Sequence, residues 1–190
     1  MRLVTKSDKE LVVNILSASF DENRSFNTII KQDNKRTVRI KKVFGYFFET
    51  WFENGAIYLS DDAKACALIA FPHLKKTTLR SVLMDLELLF QIGISSAKKG
   101  FAREDKIKMK HPQKPFYYLV FIGVLPEYQN KGIGSGLLAE LVGDSERRQM
   151  PIYLETYLQK NISLYTKFGF DIFDELDFGF PVYCMRRKLK

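Results

Sequence analysis

The sequence predicts an α/β fold whose central sheet is mixed and mostly antiparallel. A strand pair at residues 56–71 and a second at Phe170–Phe173 and Val182–Leu189 predict antiparallel hairpins. Between them, strands at Tyr118–Val124 and Ile152–Thr156 are separated by a helix. A strand–helix–strand unit of this length requires a right-handed crossover, so these two strands are predicted to be parallel neighbours.

Composition and length predict one globular domain over residues 1–190. The chain has 46% hydrophobic and 27% charged residues, and it is long enough to bury a sizeable core. A short strand at Leu3–Thr5 precedes a helix at Lys9–Phe20, which Ser7 or Asp8 can cap. The polar segment that follows, Asp21–Lys35, is expected to be a loop with a short helix.

A helix is predicted at Thr37–Glu53, because large apolar side chains recur there at helical spacing. They are Ile40, Val43, Phe44, Phe47, Phe48, Trp51 and Phe52. Such a stripe usually belongs to the core, although some of these rings could instead form an apolar wall for a substrate. Asn54-Gly55 is expected to end the helix.

The middle of the chain reads as strand, strand, helix and loop. Ala56–Ser60 and Lys64–Phe71 form the first predicted hairpin, and His73 beyond it is expected to be an ordinary surface residue. The next helix, capped at Thr77 or Thr78, is predicted to reach about residue 96 or 101. The basic segment Arg103–Lys114 contains Pro112, is followed directly by Pro115 and lacks periodicity, so it is predicted to be a loop.

A glycine-bearing loop, Gln129–Gly136, joins the central strand to its helix. A helix N-terminus presents unpaired N–H groups and a partial positive charge, and glycines let the backbone approach a phosphate closely. The loop lacks the Walker A pattern, and Leu137 stands where a dinucleotide fingerprint has its third glycine. Glu155 lies at about the spacing of a ribose-binding acid, which leaves a nucleotide site as an alternative.

The helix after this loop has a clear predicted inner face. Leu137, Leu138 and Leu141 recur on one side of it, so we expect them to be buried. Asp144 and Arg148 are expected to point outward into solvent. The last helix is predicted to begin at Lys160 or Asn161 and to end at Lys167.

Two motifs follow each other in order: Gln-x-x-Gly-x-Gly from Gln129, and Asn-x-x-x-Tyr-x-x-x-Gly-Phe from Asn161. Over roughly residues 116–170 they resemble the GNAT superfamily of acyl-CoA-dependent N-acyltransferases, and the tract from residue 111 to residue 156 looks most like the puromycin N-acetyltransferase type. The resemblance implies the GNAT fold, a mostly antiparallel sheet splayed at its parallel pair with helices on both faces. It also implies an acceptor side formed largely by residues 8–115.

The resemblance further implies that acetyl-CoA (coenzyme A) is the cofactor, bound between the two parallel strands. Its pyrophosphate is expected on the N–H groups of the glycine loop, and its pantetheine arm along the end of the central strand, where a backbone N–H is a candidate oxyanion donor. The expected cofactor-binding residues are Ile122, Gly123, Val124, Gln129, Asn130, Lys131, Gly132, Ile133, Gly134, Ser135 and Asn161. Asn161 could also be a helix N-cap.

Transfer to an amine requires a base for the ammonium group and an acid for the departing thiolate. Strand alternation places Glu155 on an otherwise aromatic face with Tyr153 and Tyr157, which makes it the candidate base. The alternative is a carboxylate in a salt bridge. Tyr165 stands where the family often places the acid, and its alternative role is packing. His111 is either near the acceptor site or an ordinary loop histidine.

The expected activity is N-acetylation of a primary amine on a small molecule or peptide, by direct attack within a ternary complex. The alternatives are a non-catalytic protein that binds acyl-CoA or another protein, and a nucleic-acid-binding module. The net charge of +8 fits an acidic cofactor or a solvated basic surface, and no nucleic-acid motif is present, so no nucleic-acid partner is expected. The protein is expected to be a monomer or homodimer.

Location and metal content are also predicted from the sequence. The chain shows no signal-peptide pattern and no membrane-spanning stretch, and Cys66 and Cys184 are expected to be buried free thiols. These features predict a cytoplasmic protein without a membrane partner. Two histidines and two distant cysteines make no ligand cluster, so no metal site is predicted.

Overall fold

The structure is a computed structural model that describes residues 1–74 and 79–189. Its seven strands are β1 (Arg2–Leu3), β2 (Gly55–Leu59), β3 (Ala65–Ala70), β4 (Tyr117–Val124), β5 (Ile152–Thr156), β6 (Asp171–Asp177) and β7 (Pro181–Arg187). Its helices are α1 (Lys9–Ser19), α2 (Arg24–Asn27), α3 (Arg36–Asn54), α4 (Leu79–Ile92), α5 (Ile94–Lys108), α6 (Ile133–Arg147) and α7 (Gln159–Lys167).

The strands form a single sheet in the order β1-β2-β3-β4-β5-β7-β6. Within the described residues, β4 and β5 are the one parallel pair and the other neighbours are antiparallel. Side chains of α1 and α3 pack on one face of the sheet, and those of α6 and α7 pack on the other. The predicted fold class, a mixed and mostly antiparallel sheet with helices on both faces, is confirmed.

The connection between β3 and β4 differs from the prediction. A second helix, α5, follows α4 after Gly93, so residues 103–108 are helical and the predicted loop at Arg103–Lys114 is wrong over that part. Gly93 has φ of 87°, which glycine adopts readily and which ends α4. Among the described residues of α5, only Ala97 is fully buried, so its sequence has little apolar periodicity. The predicted caps Thr77 and Thr78 lie outside the described residues.

The parallel pair separates after two residues. In the described ladder, β4 and β5 are matched only at Tyr117–Ile152 and Tyr118–Tyr153. On the other side of β4, Leu68 pairs with Phe121 and Ile69 with Leu119, so Val120 is an extra residue and forms a β-bulge. A bulge bends its strand and increases its twist. This bend accounts for the splay between β4 and β5, which opens a wedge at their carboxyl ends.

Asp144 is buried, so the prediction that it points into solvent is wrong. Its carboxylate accepts hydrogen bonds from the hydroxyl of Tyr58 at 3.1 Å and from Nε of Arg148 at 2.8 Å. The hydroxyl of Tyr117 also donates to it, at 3.4 Å. Phenols from β2 and β4 therefore tie α6 to the sheet, and a buried carboxylate is stable there because its oxygens are hydrogen-bonded.

We expect Gly55→Ala to lower the free energy of unfolding by about 1–3 kcal/mol, the usual effect of overpacking. A Cβ at this position would lie only 2.2 Å from the carbonyl oxygen of Ile69 on β3. Gly143→Ala is the control, since its Cβ would meet Arg147 at an ordinary 3.7 Å. Urea unfolding of the two variants tests this, and equal midpoints would contradict the close approach of β2 and β3.

Candidate active site

The wedge between β4 and β5 opens into a cavity of about 510 Å³. The two strands line one end of it, and α3, α4, α5 and the segment 20–29 line the rest. Four of the residues predicted from the sequence face this cavity: Ile122, Glu155, Asn161 and Tyr165. Both catalytic candidates and two cofactor-binding candidates are therefore brought together, and the volume is in the range of small-molecule sites.

Glu155 is held by two side chains on the cavity surface. The hydroxyl of Tyr118 donates a hydrogen bond to Oε2 at 2.6 Å, and Nε2 of His111 lies 3.3 Å from Oε1. The side chains of His111 and Glu155 are each only 9% exposed. No lysine or arginine whose side chain the structure describes forms a salt bridge with Glu155, so within that set the salt-bridge alternative is limited to the imidazole.

Tyr118 and His111 fix the environment of this carboxylate. Burial, and then the charge of Glu155, raise the pKa of Tyr118 well above its usual value, so its phenol stays protonated and donates. The ring of His111 packs against Phe116 and Tyr118, with centroids 4.9 and 4.6 Å away. If Nε2 carries the imidazole proton, it donates to Glu155 and leaves Nδ1 as an acceptor. The pair can therefore accept a proton either on Nδ1 of His111 or on the carboxylate of Glu155.

Tyr165 and Asn161 lie on α7, at the other side of the opening. The ring of Tyr165 packs 5.5 Å from that of Phe170, and burial raises the pKa of its phenol. Asn161 is not a helix N-cap, because α7 begins at Gln159 and Leu158 occupies the N-cap position. The prediction that α7 starts at residue 160 or 161 is one or two residues late. The amide of Asn161 makes no hydrogen bond within the described chain and faces the cavity.

The glycine loop ends at an open helix N-terminus. Gly132 is the N-cap of α6 with φ of 83°, Asn130 has φ of 59°, and no side chain caps the helix. A Cβ at Gly132 or Gly136 would meet nothing within 4 Å, whereas a Cβ at Gly134 would lie 3.1 Å from Cγ2 of Val124. Ile133, Gly134 and Ser135 form the first turn of α6. Its unpaired N–H groups and partial positive charge fit the pyrophosphate of coenzyme A.

Other cofactor candidates have contacts that shape the end of β4. The Nε2 of Gln129 donates to the carbonyl oxygen of Val124 at 3.1 Å, and the hydroxyl of Ser19 donates to the same oxygen at 2.8 Å. Gly123 lies against α1, where a Cβ would be 2.8 Å from Oγ of Ser19. Lys131 places Nζ 5.2 Å from the ring centre of Tyr128, on the protein surface. These side chains therefore do not line the cavity.

Sequence reasoning missed two residues of the site. Tyr118 lies in the central strand, and the parallel pairing with β5 places its side chain beside Glu155. Strand alternation on both members of the predicted pair could have found it. Arg103 also lines the cavity, but it was predicted in a loop because α5 shows little apolar periodicity. Apolar periodicity could therefore not have located Arg103 on a helix that lines the cavity.

The described residues contain neither a metal-binding cluster nor a helix suited to cross a membrane. No group of three or more His, Cys, Asp or Glu side chains in residues 1–74 and 79–189 is arranged to hold a metal ion. None of the helices in the part of the chain that the structure describes combines the length and the apolar character that a membrane crossing requires.

This chain is similar to a known domain family, to a longer curated protein and to several solved structures. A family model for the GNAT acetyltransferase domain matches residues 95–172. A probable serine/threonine-protein kinase of Dictyostelium discoideum is 24% identical over 198 residues, which cover 90% of this chain. This chain spans only about a fifth (20%) of the length of that kinase.

Two solved structures share the fold over the full length of this chain. One is a "histone acetyltransferase HPA2 and related acetyltransferase" from Corynebacterium glutamicum, with 19% identity, 95% of that chain covered and a TM-score of 0.72. The other is arylalkylamine N-acetyltransferase 2 from Aedes aegypti, with 13% identity, 98% of that chain covered and a TM-score of 0.69. The family model matches residues 95–172, and the two solved structures show that the whole chain shares their fold.

Proposed function

We propose that this protein transfers the acetyl group of acetyl-CoA to a primary amine of a small molecule or peptide. The observation that carries the proposal is the set of residues that line the wedge between β4 and β5. Glu155 and Tyr165 line one cavity at the point where β4 and β5 separate. The uncapped N-terminus of α6 follows directly from the loop after β4. The resemblance to the puromycin N-acetyltransferase type remains a proposal and assigns no particular acceptor.

Two backbone features of the chain suit acetyl-CoA, which supplies an activated acetyl group and a thiolate leaving group. The first turn of α6 can bind the pyrophosphate through its N–H groups. Beyond Tyr118, β4 has no described β5 partner, so peptide groups at Ile122–Val124 on that edge can pair with the pantetheine arm. One of these N–H groups can stabilise the oxyanion that develops on the acetyl carbonyl.

Glu155 is proposed to accept a proton from the ammonium form of the acceptor. Tyr118 remains a hydrogen-bond donor to one carboxylate oxygen, and His111 borders the other. Direct attack is favoured over an acyl-cysteine intermediate, because both thiols are buried. Burial raises the pKa of Cys66, and burial followed by the nearby carboxylates raises that of Cys184 to about 12, so neither is an available thiolate.

Tyr165 is proposed to assist departure of the thiolate. Since burial raises its pKa, the phenol is neutral at pH 7. A phenol with a raised pKa acts best as a hydrogen-bond donor to the leaving sulfur, and the proton that the thiolate finally gains is one that the amine releases.

Acetyl-CoA is expected to bind with a micromolar dissociation constant in a calorimetric titration, whereas NAD is not expected to bind. Gly132→Asp should weaken acetyl-CoA binding at least about tenfold, because it adds a carboxylate to the anion site. Gly179→Asp is the matched control, since Gly179 also has positive φ and open space around it. If Gly132→Asp bound acetyl-CoA with unchanged affinity, the N-terminus of α6 would not be part of the binding site.

Glu155→Gln should lower kcat/KM by about 10²–10⁴-fold, because it removes the base and keeps a group of similar size. The increase of kcat/KM with pH that comes from deprotonation of the base should disappear in this variant. Glu175→Gln, at an exposed position on β6, is the control. If kcat/KM of Glu155→Gln fell by the same factor at every pH, the pH–rate profile would keep its shape. Glu155 would then only position its neighbours.

Tyr165→Phe should lower kcat by at least about tenfold and leave acetyl-CoA affinity within about twofold, because only the hydroxyl is lost. Steady-state thiol release and calorimetry measure the two quantities. Tyr183→Phe, on β7, controls for the loss of a phenol elsewhere. Equal turnover in Tyr165→Phe and the parent protein would reduce Tyr165 to a packing residue.

A further inference from the structure

Arg103 is a cation of the cavity that forms no salt bridge with any carboxylate that the structure describes. It lines the cavity together with Glu155, Tyr118 and His111. No carboxylate in the described chain lies within salt-bridge distance of its guanidinium, whereas Lys108 on the same helix pairs with Glu104 at 2.8 Å. Burial lowers the pKa of Arg103, and the charge of Glu155, which lines the same cavity, opposes that effect. Arginine nevertheless stays charged at neutral pH.

The contact that holds Arg103 leaves its hydrogen-bond donors available. Its guanidinium carbon lies 4.6 Å from the centre of the Phe178 ring, a cation–π contact. Such a contact uses the face of the guanidinium group, while its five N–H donors lie in its plane. None of these donors has a hydrogen-bond acceptor among the side chains and backbone groups that the structure describes. A carboxylate is the acceptor that best matches this planar fork.

The rest of the cavity suits an apolar group. Phe121 lines it, with Phe20 and Phe47 packed edge-on against Phe121 at centroid distances of 5.3 and 4.9 Å. Phe26 and Phe101 also line the cavity. Aromatic walls favour a flat or branched hydrocarbon body, because they stack with it and exclude water. The cavity therefore combines the carboxylate of Glu155, the guanidinium of Arg103 and an apolar chamber. Asp85, Glu104, Asp105 and Lys108 also line it, and Glu104 and Lys108 form an ion pair with each other.

We propose that the acceptor is a free amino acid with an apolar side chain. Its amine would face Glu155, its carboxylate would bind Arg103, and its side chain would occupy the chamber of phenylalanine rings. This inference rests on the proposed acetyl transfer. The amine nitrogen bonds to the acetyl carbon as the carbon–sulfur bond breaks. Of the two protons that the ammonium group loses, one ends on the thiolate and the other leaves through Glu155 to solvent.

The test measures thiol release from acetyl-CoA with three matched pairs of acceptors: phenylalanine and 2-phenylethylamine, tyrosine and tyramine, leucine and 3-methylbutylamine. The members of a pair differ only by the carboxylate. We expect kcat/KM to be at least about tenfold higher for the amino acid, the usual size of a charge-assisted hydrogen bond. Arg103→Gln should abolish this preference and change kcat/KM for the plain amines less than about threefold. Arg103→Lys should retain part of it.

Lys106→Gln is the matched control. Its Nζ lies 5.6 Å from the centre of the same Phe178 ring, on the same helix, but Lys106 does not line the cavity. The preference for amino acids should survive this change. Equal turnover of the two members of each pair would overturn the inference. An equal loss for both members in Arg103→Gln would also overturn it, because Arg103 would then act only through Glu155.

Acetyl-CoA binding, measured by calorimetry on the same samples, separates this inference from the proposed function. If acetyl-CoA binds and no amino acid of the panel releases thiol, the assignment of the acceptor class is wrong and acetyl transfer to another amine still stands. If acetyl-CoA does not bind, the proposed acetyl transfer itself falls.

Discussion

The separation of β4 from β5 is the constraint on which the rest of the site depends. Two parallel strands would normally pair along their whole length and leave no room between them. Here Val120 adds a residue to β4, and the described ladder ends after Tyr118. The bend frees one edge of β4 and opens the cavity between the strands. Without it, Glu155 and Tyr165 would face a closed sheet.

The side chains that surround the carboxylate of Glu155 come from three different segments of the chain. Glu155 comes from β5, whereas His111 comes from the segment after α5 and Tyr118 from β4. Their contacts link β4 and β5 to the segment that follows α5. The carboxylate is nearly enclosed, with hydrogen-bonding groups at both oxygens, and it has no lysine or arginine partner among the described residues. Such a carboxylate is suited to exchange a proton with a bound amine.

Local patterns predicted much of this fold, and long-range contacts account for what they missed. The period of apolar residues located the strands, and the turn before α6 identified Gly132. The bulge at Val120 has no such signal, because valine is an ordinary strand residue. Asp144 was misplaced because its partners, Tyr58 and Tyr117, are distant in sequence. The single helix predicted to reach residue 96 or 101 misses both the break at Gly93 and the end of α5 at Lys108, because α5 buries little apolar surface.

The most direct test of the account is a crystal structure of the protein with coenzyme A. The account predicts the pyrophosphate on the first turn of α6, the pantetheine arm along Ile122–Val124 in the wedge, and the sulfur facing Tyr165 and the cavity that contains Glu155. Coenzyme A bound on another surface, with the wedge between β4 and β5 empty, would contradict it.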